Sequence, residues 1–177
     1  VDTNCPWTKD QAKQMLNEWE EYNLYWVEEP INPPEDFDSL SNLRTEVFSP
    51  IAAGENACTS FEFKKMFEAD AVDYAQPSVT KVGGITEFKK VVSLAETYGV
   101  QVMPHSPYFG PGFLATLHLA QSMPNPGLLE RFFLDFEAYL YPEEIFNPKD
   151  GFFKVPNDIG LGFDPDKNVI KDYLIKN

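Results

Sequence analysis

Three carboxylates stand at nearly equal intervals in this chain: Asp2, Glu28 after 26 residues, and Glu55 after 27 more. Each closes an apolar, strand-like run where a loop begins. One strand, one helix and their two connections take roughly 25 residues when loops are about 2–6 residues long. The spacing therefore puts one acid at the C-terminal end of each of three successive parallel strands. Oxygen ligands converging from neighbouring strand ends suit a hard divalent cation, Mg²⁺ before others. A lone strand-end carboxylate is more often a helix cap or a surface charge; three in one register favour metal binding. Adjacent strand residues face opposite sides, so only one of Glu28 and Glu29 can enter such a site. Counting back from Pro30 leaves that choice open.

The count continues to Ser78, His105 and Glu130, after steps of 23, 27 and 25 residues. His105 follows Val102-Met103-Pro104 at a strand end, in step with the acids. Imidazole is the side chain best suited to give or take a proton near neutral pH. The only other histidine, His118 in Leu117-His118-Leu119, reads as a surface or core residue of an outer helix.

The elements that must hold these groups alternate. Apolar runs at Leu24–Val27, Ile51–Ala53, Ala71–Ala75, Val100–Met103 and Leu128-Leu129 are separated by helical stretches. That pattern belongs to a parallel sheet with helices outside it. Thr8 is the expected cap of a helix over 9–22, in which Ala12, Met15, Leu16 and Trp19 recur at helical spacing. Thr59 with Glu62 forms a capping-box pattern before a helix over 63–69. Thr86 is the expected cap of a helix over 87–98, stopped by Gly99. Gly112–Met123 makes a fourth helix, ended by Pro124 and Pro126. The segment 139–177, rich in Pro, Gly, Asp and Asn, reads as an irregular extension packed on the domain of residues 1–138.

Composition narrows the class. A chain of 177 residues with 43% hydrophobic content can bury one core, and no apolar run or leader suggests a membrane, so a soluble cytoplasmic protein is expected. Cys5 and Cys58 are too few for a disulfide framework and read as reduced thiols. A net charge of −14 argues against nucleic acid as a partner. It would also repel an anionic small molecule unless a bound cation reversed the local field. Only Val1 precedes the strand-end residue Asp2, and six βα units fall short of the eight that close a parallel barrel. The chain therefore reads as the C-terminal part of a longer barrel.

Val1-Asp2-Thr3-Asn4, Trp26-Val27-Glu28-Glu29-Pro30, Gly54-Glu55-Asn56, Lys81-Val82-Gly83-Gly84 and Leu129-Glu130-Arg131 together resemble the enolase superfamily, in its mandelate racemase/muconate lactonizing enzyme branch. Gly160-Leu161-Gly162-Phe163 is similar to that family's closing segment. The resemblance implies an α/β fold, a partial TIM-type barrel with about six βα units of a modified (β/α)7β barrel. It implies that Asp2, Glu28 and Glu55 bind Mg²⁺ and that Asn4 reaches toward the substrate. It further implies that His105 is a strand-seven base or acid, and Glu130 a strand-eight acid that hydrogen-bonds the charge growing on a carboxylate oxygen. Ser78 stands where racemase-like members carry an Asp paired with the histidine, and where the lactonizing group carries a Lys. Its hydroxyl can orient the ring of His105 but cannot supply a charge. Lys81 is assigned to the turn before Gly83-Gly84.

The expected function is that of a Mg²⁺-dependent lyase that removes the proton α to a carboxylate, with a sugar acid or hydroxy acid as substrate. Ser78 weighs against a racemase, which needs two competent bases, so dehydration of a sugar acid leads. A racemase or epimerase of a hydroxy acid or amino-acid derivative stands second, and a non-catalytic metal-binding module third. A homo-oligomer is expected, since related barrels usually assemble. The 177 residues alone are expected to be inactive, because substrate selection and one base lie outside them.

Overall fold

A computed structural model describes residues 1–175, in two compact units, Val1–His105 and Ser106–Asn177. The first unit holds a parallel sheet of β1 (Val27–Glu28), β2 (Ile51–Ala53), β3 (Tyr74–Ala75) and β4 (Gln101–Val102), in that spatial order. Val27 pairs with Ile51, Ala52 with Tyr74, and Ala75 with Val102. Asp2 extends the ladder through a parallel bridge to Glu28. Spatial order that follows chain order is what repeated right-handed βα units give.

Four of the five expected strands form, though only β2 starts where expected and the others are cut to two residues, and two helices must be added. Helix α1 is Lys9–Glu18, followed by a 3-10 turn at Glu20–Tyr22 rather than one helix through residue 22. Thr8 caps it, and Gln11 returns a bond to the Thr8 backbone to complete a capping box. Helix α2, Phe37–Glu46, had no counterpart in the sequence reading. Its buried residues are Leu40 and Leu43, a short stripe, and Asp36 caps it through the Ser39 N–H. Helix α3 is Ser60–Glu68, and its capping differs from expectation. The Thr59 side chain makes no cap bond; Glu62 instead accepts the Cys58 N–H at 2.7 Å. Helix α4, Ile85–Tyr98, begins at Gly84 with φ +89°, not at Thr86, because the tight turn from Ser78 to Gly84 already uses the left-handed region. Gly99 ends it with φ +69°, as expected.

Buried faces decide the packing. Phe63, Met66 and Phe67 of α3 meet α4, which buries Phe88, Val91 and Ala95. Burial of each such large side chain stabilises by about 1.5–3 kcal/mol. Arg44 of α2 then ties the turn before β3: its guanidinium lies 2.8 Å from both Asp70 and Asp73, and Asp73 also accepts the Ile51 N–H at 2.8 Å.

In the second unit, α5 (Pro111–Ser122) buries Phe113, Leu114 and Leu117 against Tyr141, Ile145 and Phe146 of the tail. Arg131 donates to the Phe146 carbonyl at 2.7 Å and to Asn147 at 2.8 Å. His118 lies 3.3 Å from the Leu161 carbonyl, a packing role like the one expected. Helix α6, Lys167–Tyr173, interrupts a tail expected to be irregular; Asp166 caps it and donates its N–H to the Leu140 carbonyl. Leu128-Leu129 does not form the expected strand. A strand exists only through its ladder; here Ser106 bonds the segment instead, its hydroxyl donating to the Glu130 carbonyl at 2.7 Å and its N–H to the Glu130 carboxylate at 2.9 Å. Among the described residues no helix is long and apolar enough to cross a membrane.

Candidate functional site

The C-terminal ends of the strands in the first unit carry most of the singled-out residues. Asp2 and Glu28 are ladder partners, so both side chains leave the same face of the sheet. Glu28 is 7% exposed and its Oε2 accepts the Trp26 indole N–H at 3.3 Å, from two residues back on that face. Asp2 is wrapped by Asn4: the Asn4 backbone N–H donates to Oδ1 at 3.0 Å and its amide to Oδ2 at 2.9 Å. Asn4 thus orients a strand-end acid.

Glu55 leaves β2 through Gly54, at φ +137°. A Cβ at that position would lie 2.9 Å from the Phe63 ring and 3.0 Å from the Gln76 nitrogen. Glycine is required there both for the conformation and for the close approach. Beyond it, Glu55 Oε2 lies 2.8 Å from His105 Nε2, and Oε1 lies 2.9 Å from Lys81 Nζ. The hydrogen bond from His105 does most to pull the Glu55 carboxyl down to about 2; burial opposes it, and Lys81 adds to the lowering. Glu55 is therefore ionised across the neutral range.

Lys81 fulfils its turn assignment in the backbone, where its N–H donates to the Ser78 carbonyl. Its reach to Glu55 was not anticipated, and only the turn's geometry could have told it. Ser78 is fully buried, with its hydroxyl 3.2 Å from that of Thr80. His105 is 6% exposed. Glu130 belongs to the second unit, where Ser106 holds its carboxylate.

Glu29 is the residue that sequence reasoning left undecided. It is 4% exposed, at φ +46°, and takes the Asn56 amide on both oxygens at 2.9 and 3.0 Å. The Cys5 thiol donates to its Oε2 at 3.3 Å. Burial pushes the Glu29 carboxyl up, and the charges of Glu55 and Asp2 push the same way, so these acids share one electrostatic neighbourhood. Burial, and then the charge of Glu29, pushes the Cys5 thiol up to about 12, which leaves it inert as a nucleophile.

Among the described residues no three His, Cys, Asp or Glu side chains already form a cation cage. Carboxylates in one neighbourhood repel, and each one here is turned to a donor of the chain. The donor chemistry nevertheless fits a hard divalent cation: Asp2 and Glu28 share a sheet face, and Glu55 holds its negative charge beside the His105 ring and the Lys81 ammonium.

Comparison with known proteins gives the family. The family model described as Enolase C-terminal domain-like matches residues 1–169. D-xylonate dehydratase of Haloferax volcanii is 30% identical over 184 residues, covering 99% of this chain and 43% of that protein. The crystal structure of the 3,6-anhydro-D-galactonate cycloisomerase from Zobellia galactanivorans superposes with a TM-score of 0.90 at 32% identity, over 99% of this chain and 50% of that one. The L-talarate dehydratase of a Polaromonas species, solved in complex with Mg and L-glucarate, gives a TM-score of 0.79 at 33% identity, over 97% of this chain and 43% of that one. The chain spans about two-fifths of the length of the curated relatives it matches.

Proposed function

This chain belongs to the enolase C-terminal domain-like family, and from that premise we propose that it carries the metal-binding and part of the proton-transfer machinery of a Mg²⁺-dependent sugar-acid dehydratase. In this reading residues 1–138 are the C-terminal part of an enolase-type barrel and 139–177 an extension on it. Asp2, Glu28 and Glu55 hold the cation, which supplies positive charge to the substrate carboxylate when bound. The observation that carries the reading is the 2.8 Å approach of His105 to Glu55, which joins a proton-transfer group to a strand-end acid.

The reaction removes the α-proton of a polyhydroxy acid and expels the β-hydroxyl. A base from outside these residues takes the α-proton, and its electron pair moves into the carboxylate. Glu130, protonated, donates a hydrogen bond to the oxygen on which that charge grows. His105 gives its proton to the departing hydroxyl as the C–O bond breaks, so water leaves. The resulting enol becomes a 2-keto-3-deoxy acid. Asn4, already bonded to Asp2, and Ser78, buried at the next strand end but one from Glu28, line the substrate's approach. Dehydration asks for one base and one acid, which suits a chain with Ser78 where a charged partner of His105 would serve a two-base racemase.

Incubation of the complete polypeptide with a panel of aldonic and aldaric acids tests the proposal. Mg²⁺-dependent 2-keto acid from at least one of them is expected. Exchange of the α-proton in deuterated buffer without 2-keto acid would mark a racemase or epimerase and overturn the dehydratase reading. The same preparation is expected to be a homo-oligomer by light scattering, and the 177 residues alone are expected to show no turnover.

A further inference from the structure

Each proposed metal ligand has a near neighbour in sequence that meets the others at one buried carboxylate. Asp2 is followed three residues later by Cys5, Glu28 by Glu29, and Glu55 by Asn56. The Glu29 carboxylate takes the Asn56 amide on both oxygens, at 2.9 and 3.0 Å, and the Cys5 thiol at 3.3 Å. The Glu29 carbonyl takes the Cys5 N–H at 2.7 Å. One residue therefore links its own strand end to two others, 24 and 27 positions away in the chain.

The backbone shows that this link is built against resistance. Asn4, Cys5 and Glu29 all sit in the left-handed region, at φ +55°, +52° and +46°, and none is glycine. Such conformations persist only where surrounding contacts over-determine them. A carboxylate 4% exposed also carries a desolvation cost, which the three side-chain bonds offset only when all are present. A chain that only needed to turn here would have used a small residue without either cost. The two acids of the pair at 28 and 29 thus diverge: Glu28 lies on the sheet face of Asp2, and Glu29 turns toward the loops after Asp2 and Glu55.

We infer that Glu29 is a positioning residue, a clamp that fixes the strand ends so that Asp2, Glu28 and Glu55 can close on one cation, and is not itself a ligand. The inference rests on the Mg²⁺ reading proposed above. Supporting residues around metal ligands typically set affinity by about 10–100-fold.

The test is calorimetric titration of the complete polypeptide with Mg²⁺ alone. Glu29→Gln and Asn56→Ala should each weaken Mg²⁺ about 10–100-fold without changing the stoichiometry. Combined as Glu29→Gln with Asn56→Ala, the losses should not add, because both break one link. The exchanged pair, Glu29→Gln with Asn56→Asp, restores an amide donor opposite a carboxylate and should recover most of the affinity. A purely global effect would not be rescued in this way. The clamp is overturned if Asn56→Ala leaves Mg²⁺ affinity unchanged. It is also overturned if Glu29→Gln abolishes binding as fully as Glu28→Gln and the exchanged pair recovers nothing, for then Glu29 is a ligand.

Amide hydrogen exchange separates this failure from that of the functional reading. In Glu29→Gln the Cys5 and Thr3 N–H groups should exchange at least about tenfold faster, while Asp73 and Gln76, bonded across β2, keep their protection. Unchanged exchange at Cys5 overturns the clamp whether or not Mg²⁺ binds. Faster exchange there in a protein that takes up no Mg²⁺ supports the clamp and overturns the metal reading alone.

Discussion

Both units of the chain bury rings, and the first buries ionisable side chains as well. In Val1–His105, Glu28, Glu29 and His105 are 7%, 4% and 6% exposed, at the ends of short parallel strands. Ser106–Asn177 buries rings, with Phe113 and Phe146 at 1% and 2% exposed and their centroids 5.3 Å apart. Among the described residues its fully buried polar side chains are those of Ser106 and Thr116, whose hydroxyls donate to the Glu130 and Gly112 carbonyls. A buried charge costs stability unless it is paired, so its retention points to function, whereas ring packing points to stability. The contrast says which unit mutation should silence and which it should unfold.

The largest effect should come from the charged unit. Glu55→Gln in the complete polypeptide replaces an anionic ligand by a neutral amide, and Mg²⁺ affinity should fall by more than the roughly 100-fold that a supporting residue controls. Calorimetry with Mg²⁺ reads this directly. A variant that bound Mg²⁺ as well as the parent would break the comparison, since the charge of Glu55 would then serve packing alone. Next comes the ring core. Phe146→Ala should destabilise the second unit by about 3–5 kcal/mol, read from the urea midpoint, because the α5 rings cannot close the cavity.

Much of this division was legible in the sequence, and the exceptions have physical causes. The runs before Glu28, Glu55, Gln76 and Pro104 announced strands, because a strand buried on both faces needs an unbroken apolar stretch. Leu128-Leu129 gave the same signal and formed no strand, since a ladder needs a partner that a local pattern cannot supply. Helix α2 was missed because only Leu40 and Leu43 mark its face. Thr59 does stand at the cap of α3 but makes no side-chain cap bond, and the cap expected at Thr86 falls two residues earlier, at Gly84, because of the turn's geometry. At the site, the equal spacing of the acids reflects the repeat itself. The roles of Glu29 and Lys81 do not, because both depend on how loops some 24 to 27 residues apart meet.

Between the extremes of charge and ring lies the Arg44 network, a structural use of charge in the first unit. Asp73→Ala removes a partner from Arg44 and from the Ile51 N–H together, so about 1–3 kcal/mol of stability should be lost. Mg²⁺ affinity should be nearly unchanged, since this pair sits at the start of β2 and β3 rather than at their ends. A large loss of affinity would show that the sheet transmits strain from one rim to the other.

The smallest effect tests whether a half-buried charge paired to an exposed lysine behaves as the buried ones do. Lys90 foremost, with the Ser60 hydroxyl and N–H, holds the Glu87 carboxyl at about 2, well below its ordinary value of 4.5. A carboxylate depressed in the folded state contributes stability above its unfolded value and loses it as pH falls through the folded one. The Glu87 contribution should therefore be intact at neutral pH and fade between about 4.5 and 2. Replacing Glu87 by Gln should flatten the acid limb of a melting-temperature profile in that window by a small amount, because exposed pairs contribute little. It should leave the neutral limb in place apart from a small uniform drop. A steep loss at neutral pH instead would mean that the bond from Glu87 to the start of α3 is a structural anchor, and that buried charge is not the only kind this unit depends on.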